Sequence, residues 1–329
     1  MVSIKDVANQ AGVAISTVSK VLNHYPNVSE QTKQKVNKAI EELGFVPNMA
    51  ASMLSSKQAG RIALLINPNM QTQAVDEINM QYIAGALSKA KELHMDIITV
   101  FFSMIRDMSV TEITNYFRSQ NIAGLIICGM DKKSAMLHKL IDAQAFKIVV
   151  IDAPIFNQYT SSIWIDNEQA QYDIALKTAT ENKCKSILYI AGKRDSYVAG
   201  ERQKAIERLA REKQMKLVVK FGEFSELAAR KITFQYAKKL DMVACASDLM
   251  AIGAMKALME MDIFRPVCGF DGITLMGYVG QQMNTVKQNF SYISAQAVIE
   301  LGKLLSGDAG RNIVLPYELV RMEYEDIIR

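Results

Sequence analysis

With 329 residues, half of them hydrophobic and 22% charged, the chain has a globular balance with room for two or three cores, which excludes a disordered polymer. The formal net charge of +4 is too mild to announce a nucleic-acid partner by itself. Cys128, Cys184, Cys245 and Cys268 form no C-x-x-C pair, which points to a reducing cytoplasm rather than a disulfide scaffold or a zinc site.

Ile4, Val7, Ala8 and Ala11 recur at the spacing of a one-sided helical stripe, and Gly12-Val13 breaks it. A second short helix, Ile15 to Leu22, turns Val18, Val21 and Leu22 inward and leaves Ser16, Thr17, Ser19 and Lys20 free to face out. That outer face suits phosphates and base edges. A third helix starts at Ser29, a good N-cap, buries Val36, Ile40 and Leu43, and ends at Gly44. Three short helices around one small core make a helix-turn-helix module or, on spacing alone, an ordinary three-helix bundle. No arginine occurs before Arg61, so Lys20 is the only cation on the presumed reading helix. The opening residues carry no signal-peptide core.

Asn48 can cap a short helix over Met49 to Ser56, although eight residues are marginal alone, and composition equally allows a plain linker. From Arg61 the pattern becomes apolar strands alternating with helices. Ile62–Ile66, Ile97–Phe102, Leu125–Cys128 and Ile148–Ile151 form one series. Ile163–Ile165, Ser186–Ile190, Leu217–Lys220, Val243–Ala246 and Val267–Phe270 form a second. Continuous apolar runs separated by helices predict parallel sheets covered on both faces. No G-x-G-x-x-G fingerprint, P-loop, G-x-S-x-G or metal cluster appears, so no enzymatic activity and no cofactor are expected.

The segments IKDVANQAGVAISTVSKVLN, VSEQTKQKVNKAIEELGFVPN and AASML resemble, in order and nearly without gaps from Ile4 to Leu54, the headpiece of the lactose/galactose repressor family of bacterial transcription regulators. The resemblance implies a fold of an all-α helix-turn-helix headpiece (residues 1–46), a hinge helix or linker (47–60) and an α/β two-lobed sensor (61–329) like the periplasmic sugar-binding proteins, with doubly wound parallel sheets. Lobe 1 would take about 61–160 and 291–318, and lobe 2 about 161–290 and 319–329, with crossings near Thr160, Phe290 and Glu318. The resemblance places Ile15, Ser16 and Lys20 on base edges; Thr17, Ser19 and Asn23 are expected at the backbone, and His24, just after the helix, at a phosphate or in solvent. Asn48, Ala51 and Leu54 fall on the hinge, with Leu54 as a minor-groove wedge. Ala14 departs from the family's usual Ser, and Ser52 stands where many relatives carry Arg.

In the sensor the resemblance assigns ligand contacts to Asp166, Ser196, Arg202, Phe224, Ser247, Asp248 and Asp271. Read singly, each has a plainer role: Asp166 and Asp248 as N-caps, Asp271-Gly272 as a turn, Arg202 as a surface charge, Phe224 as an edge core residue. The expected protein is a cytoplasmic homodimer on a palindromic double-stranded operator, repressing carbohydrate-utilisation genes under control of a sugar or sugar phosphate, with no membrane partner. A chain end at Arg329 without a leucine heptad favours a dimer over a tetramer. The competing readings are a sugar-binding protein serving a transporter, an enzyme acting in the cleft, and an architectural DNA binder that no metabolite controls.

Overall fold

The computed structural model describes residues 2–22, 28–45, 61–67 and 77–322, in two compact units, 1–60 and 61–329. The first unit contains helices α1 (Ile4–Ala11), α2 (Ile15–Leu22) and α3 (Glu30–Leu43). Ser3 and Asp6 form a capping box at the start of α1, each side chain accepting the other residue's backbone N–H. Gly12 and Gly44 end α1 and α3 with φ of 66° and 57°, a left-handed conformation that glycine adopts without steric cost. Val7, Ala8, Val18, Val21, Val36, Ala39 and Phe45 form the core, with Ile4, Leu22, Ile40 and Leu43 packed around it.

The second unit starts as a βα series: β1 (Arg61–Ile66), α4 (Glu77–Glu92), β2 (Ile97–Phe101), α5 (Phe102–Ile105), α6 (Val110–Ser119), β3 (Ile122–Cys128), α7 (Ala135–Asp142), β4 (Lys147–Ile151) and β5 (Thr160–Ile165). A further series follows: α8 (Asn167–Glu181), β6 (Ser186–Ala191), α9 (Tyr197–Glu212), β7 (Lys216–Phe221), α10 (Glu226–Tyr236), β8 (Met242–Cys245), α11 (Asp248–Glu260), β9 (Val267–Cys268) and β10 (Met283–Lys287). The chain closes with α12 (Phe290–Leu305), β11 (Asn312–Leu315) and β12 (Glu318–Met322). One sheet runs β11-β5-β4-β3-β1-β2 and the other β12-β10-β9-β8-β6-β7. Each sheet is the floor of one lobe.

Two expectations are corrected. The first crossing lies after Ile165, not near Thr160, because β5 pairs in parallel with β4 and β11 and completes the first sheet. A short apolar run after a turn does not reveal which sheet it joins. The second sheet is also not wholly parallel, since β12 runs antiparallel to β10. The cause is the route of the chain. β11 runs toward the cleft, and after Pro316-Tyr317 the chain enters the other lobe from its cleft side, against the direction of that lobe's other strands. The crossing into α12 follows β10, and α12 packs on α4 and on the first sheet. Gly85 permits that approach, since a Cβ there would stand 2.0 Å from the Ser291 carbonyl oxygen.

Candidate functional site

The two units carry separate candidate sites. In the first, Ile15, Ser16 and Lys20 of α2 are exposed, Thr17 and Ser19 are half-buried, and Val18 and Val21 face the core. The outer face of α2 therefore presents an apolar side chain, a hydroxyl and an ammonium at i, i+1 and i+5. Ala14, with no side-chain acceptor, offers its carbonyl to the Thr17 and Val18 N–H groups. Asn23, His24, Asn48, Ala51, Ser52 and Leu54 lie outside the described residues.

In the second unit the strand ends of both lobes converge. Arg202, on α9, is 4% exposed. Its Nε donates to Asn167 Oδ1 at 2.9 Å and its Nη1 to the Ala246 carbonyl at 2.7 Å. Its guanidinium stacks 3.6 Å from the centre of the Phe270 ring, and Nη1 stands 3.5 Å from Asp271 Oδ1. Gln288 Nε2 donates to the same carboxylate oxygen at 3.2 Å. From the other lobe, Tyr82 on α4 donates its hydroxyl to Asp152 Oδ2 at 3.1 Å. Asp152 (φ 64°) and Asp271 (φ 126°) both hold backbone that L side chains seldom adopt, strain of the kind that gathers at functional sites.

The electrostatics of this cluster follow from burial. Loss of water pushes the Asp271 carboxyl up to about 8, against the pull of Arg202 and with added repulsion from Asp248 and Asp152. Burial also raises Asp152, while Arg202 and the Tyr82 hydroxyl oppose the rise. Among the described residues, Asp152 Oδ1 and Gln288 Oε1 are buried acceptors without a hydrogen-bond partner. Buried polar atoms left in this way cost about 1–3 kcal/mol each. An arrangement of one arginine, two acids and two unanswered acceptors is suited to a ligand rich in hydrogen-bond donors.

The remaining sequence-predicted residues divide by role. Phe224 lies partly buried over Gly192, where any Cβ would come within 2.2 Å of the ring, so its position against the end of β6 depends on that glycine. Asp166, Ser196 and Ser247 each cap a helix, accepting the N–H of Gln169, Ala199 and Met250. Asp166 is exposed. Asp248 is fully buried, and its carboxylate accepts from Gly272 N–H (2.7 Å), Ile273 N–H (2.9 Å) and the Thr285 hydroxyl (2.6 Å). It holds the Asp271 loop against β10.

Sequence reasoning missed Tyr82, Asp152, Asn167 and Gln288. Asp152 had a usable signal, since it follows an apolar strand just as Asp271 does. Within the Asp166-Asn167 pair the inward member is Asn167, 1% exposed. Nothing in the helical pattern distinguishes Tyr82. Among the described residues no three His, Cys, Asp or Glu side chains could hold a metal, and no helix is long and apolar enough to cross a membrane.

Comparison with known proteins now bears on both units. Residues 3–48 match the profile described as bacterial regulatory proteins, lacI family, and residues 80–273 that of periplasmic binding proteins and sugar binding domain of LacI family. The chain is 30% identical to the HTH-type transcriptional regulator RegA of Clostridium saccharobutylicum, over 98% of each protein. It is 25% identical to the HTH-type transcriptional regulator MalR of Clostridium butyricum, again over 98% of each. In fold it is similar to the lac repressor dimer bound to operator and the anti-inducer ONPF, with a TM-score of 0.80 and 24% identity over 98% of this chain and 99% of that one. A headpiece and a two-lobed sensor joined in this order are a DNA-binding transcription regulator rather than an enzyme, and the chain belongs to the lacI family of bacterial regulatory proteins.

Proposed function

We propose that two copies of this cytoplasmic protein grip a palindromic operator upstream of carbohydrate-utilisation genes and repress them, under control of a sugar or sugar phosphate bound between the sensor lobes. The cluster of Arg202, Asp271, Asp152 and Gln288 carries the reading, because its unpartnered acceptors are answered by ligand hydroxyls. Arg202 and Asp271 hold the ligand from one lobe and Asp152 from the other, with Phe224 as the apolar wall and Ser196, Ser247, Asp166 and Asp248 framing the strand ends.

On the DNA side, Ile15, Ser16 and Lys20 read base edges. Thr17, Ser19, Asn23 and His24 fix register on the phosphates, which positions without specifying. Asn48, Ala51 and Leu54 belong to a hinge that folds on the operator and wedges the minor groove. Ligand binding alters the angle between the lobes and so the geometry at which two hinges can pair. The coupling is reciprocal and of ordinary size, about 1–3 kcal/mol.

The test is a fluorescence-anisotropy titration of the full chain on palindromic and random duplexes, repeated across a panel of sugars and their phosphates. A palindrome preferred over random duplex, with affinity shifted by at least one panel member, is the expected result. Equal affinity for all duplexes rejects the operator, and a preference that no member shifts rejects the effector class.

A further inference from the structure

The lobes also touch far from the three crossings. The strands next to the crossings, β5, β11, β10 and β12, occupy one side of their sheets, whereas β3 and β6 lie toward the other. The turns that follow β3 and β6 meet across the cleft. Asp131 and Ser196 form an isolated antiparallel bridge, and the Lys132 N–H donates to the Asp195 carbonyl at 2.8 Å. Lys133 Nζ reaches the Asp195 carboxylate at 2.6 Å and also faces Glu223 and Asp131. His138 Nε2 lies 2.9 Å from the Tyr197 hydroxyl, and its Nδ1 lies 2.9 Å from the Ser134 carbonyl. A carbonyl only accepts, so Nδ1 carries a proton and the ring is fixed between Ser134 and the tyrosine hydroxyl. Lys132 Nζ sits 5.7 Å from the centre of the Tyr197 ring.

We infer that residues 131–138 and 195–197 form a latch that holds the lobes together at the mouth of the cleft and limits passage of the effector. The inference rests on the reading that the effector binds between the lobes. Its members are unequal. The Lys133–Asp195 pair is exposed and contributes little alone. The backbone bond and the half-buried His138–Tyr197 bond contribute more. Their position matters as much as their strength, because contacts remote from the crossings must all part before the lobes can swing open. Every group in the latch belongs to the protein, so closing the mouth and filling the site are separate free energies that add or oppose.

Cys128 supplies a probe of opening. It ends β3 at the cleft floor, is 1% exposed, and its thiol is raised by burial and by the neighbouring Asp152. Cys184 is partly exposed, while Cys245 and Cys268 are buried in the other lobe. The experiment is mass-spectrometric labelling of the full chain with N-ethylmaleimide, beside amide hydrogen exchange of the peptide containing Lys132. Tyr197→Phe and Lys133→Glu are compared with the unaltered protein. About tenfold faster labelling of Cys128 and exchange at Lys132 is expected in Tyr197→Phe, and a smaller gain in Lys133→Glu, as local opening equilibria set both rates. Unchanged rates at Cys245 and Cys268 show that the lobe itself is intact. Rates at Cys128 and Lys132 that are equal in all three proteins overturn the latch. Neither readout involves DNA or effector, so failure of the latch and failure of the regulatory reading are distinguished.

Discussion

The headpiece and the sensor put their chemistry on opposite sides of their cores. In the headpiece, Ile15, Ser16 and Lys20 project outward from seven buried side chains, and nothing about their exposure opposes folding. In the sensor, Arg202 and Asp271 are 4% and 8% exposed, and both ionisable groups are held away from water. The contrast recurs inside the sensor between two buried acids. Asp248 answers three donors and secures a loop, whereas among the described residues Asp271 has a 3.2 Å contact to Gln288 and a 3.5 Å approach to Arg202. A satisfied buried acid is architecture. An under-satisfied one costs stability, and under the proposed function that cost keeps a carboxyl ready for the effector.

The largest way to break this contrast is Asp248→Ala, which strands the Gly272 and Ile273 N–H groups and the Thr285 hydroxyl. A net loss of about 2–4 kcal/mol in urea unfolding of the full chain is expected. A loss no greater than that of an exposed substitution would show that Asp248 is not architectural. Arg202→Ala is next. It should abolish the effector response while leaving operator affinity in place, as read by the anisotropy titration. A full response in that variant would place the effector elsewhere.

Asp271→Asn sharpens the comparison through pH. The folded carboxyl sits near 8, above its ordinary value of 3.8. The folded state therefore holds a proton that the unfolded chain has released, and stability falls as pH rises through this window. The asparagine variant escapes the fall, so its melting temperature relative to the unaltered protein should climb from pH 5 to pH 9. A constant difference would contradict a buried, ionising Asp271. In the headpiece, changing Lys20 to Ala should alter preference at one base pair per half-site by about 1–3 kcal/mol. A uniform loss across all sequences would instead make it a phosphate contact. Smallest is Ser3→Ala, which removes half of the capping box and should cost about 0.5–2 kcal/mol of headpiece stability.

Legibility in the sequence follows the same division. The headpiece helices are readable because each has a core stripe, α1 and α3 also end at a glycine, and the candidate DNA face is what remains. The strands of the sensor are readable as continuous apolar runs, except where a run such as Ile163–Ile165 carries no mark of which sheet it joins, or where β10, β11 and β12 mix polar and apolar residues. In the cleft, Arg202 and Asp271 are legible by resemblance. Asp166 caps its helix while Asn167 meets Arg202, a division the sequence does not show because a cap and a cleft residue look alike until the helix axis is known. Tyr82 comes from a helix of the opposite lobe, and only the folded chain brings it to Asp152.

The most direct test measures operator affinity of the unaltered chain and of Arg202→Ala, with and without the sugar or sugar phosphate that shifts the thermal transition of the unaltered chain. The account predicts that both proteins prefer the palindrome over random duplex and that only the unaltered chain changes affinity when the effector is added. Equal affinity for palindrome and random duplex, or an undiminished response in Arg202→Ala, would contradict it.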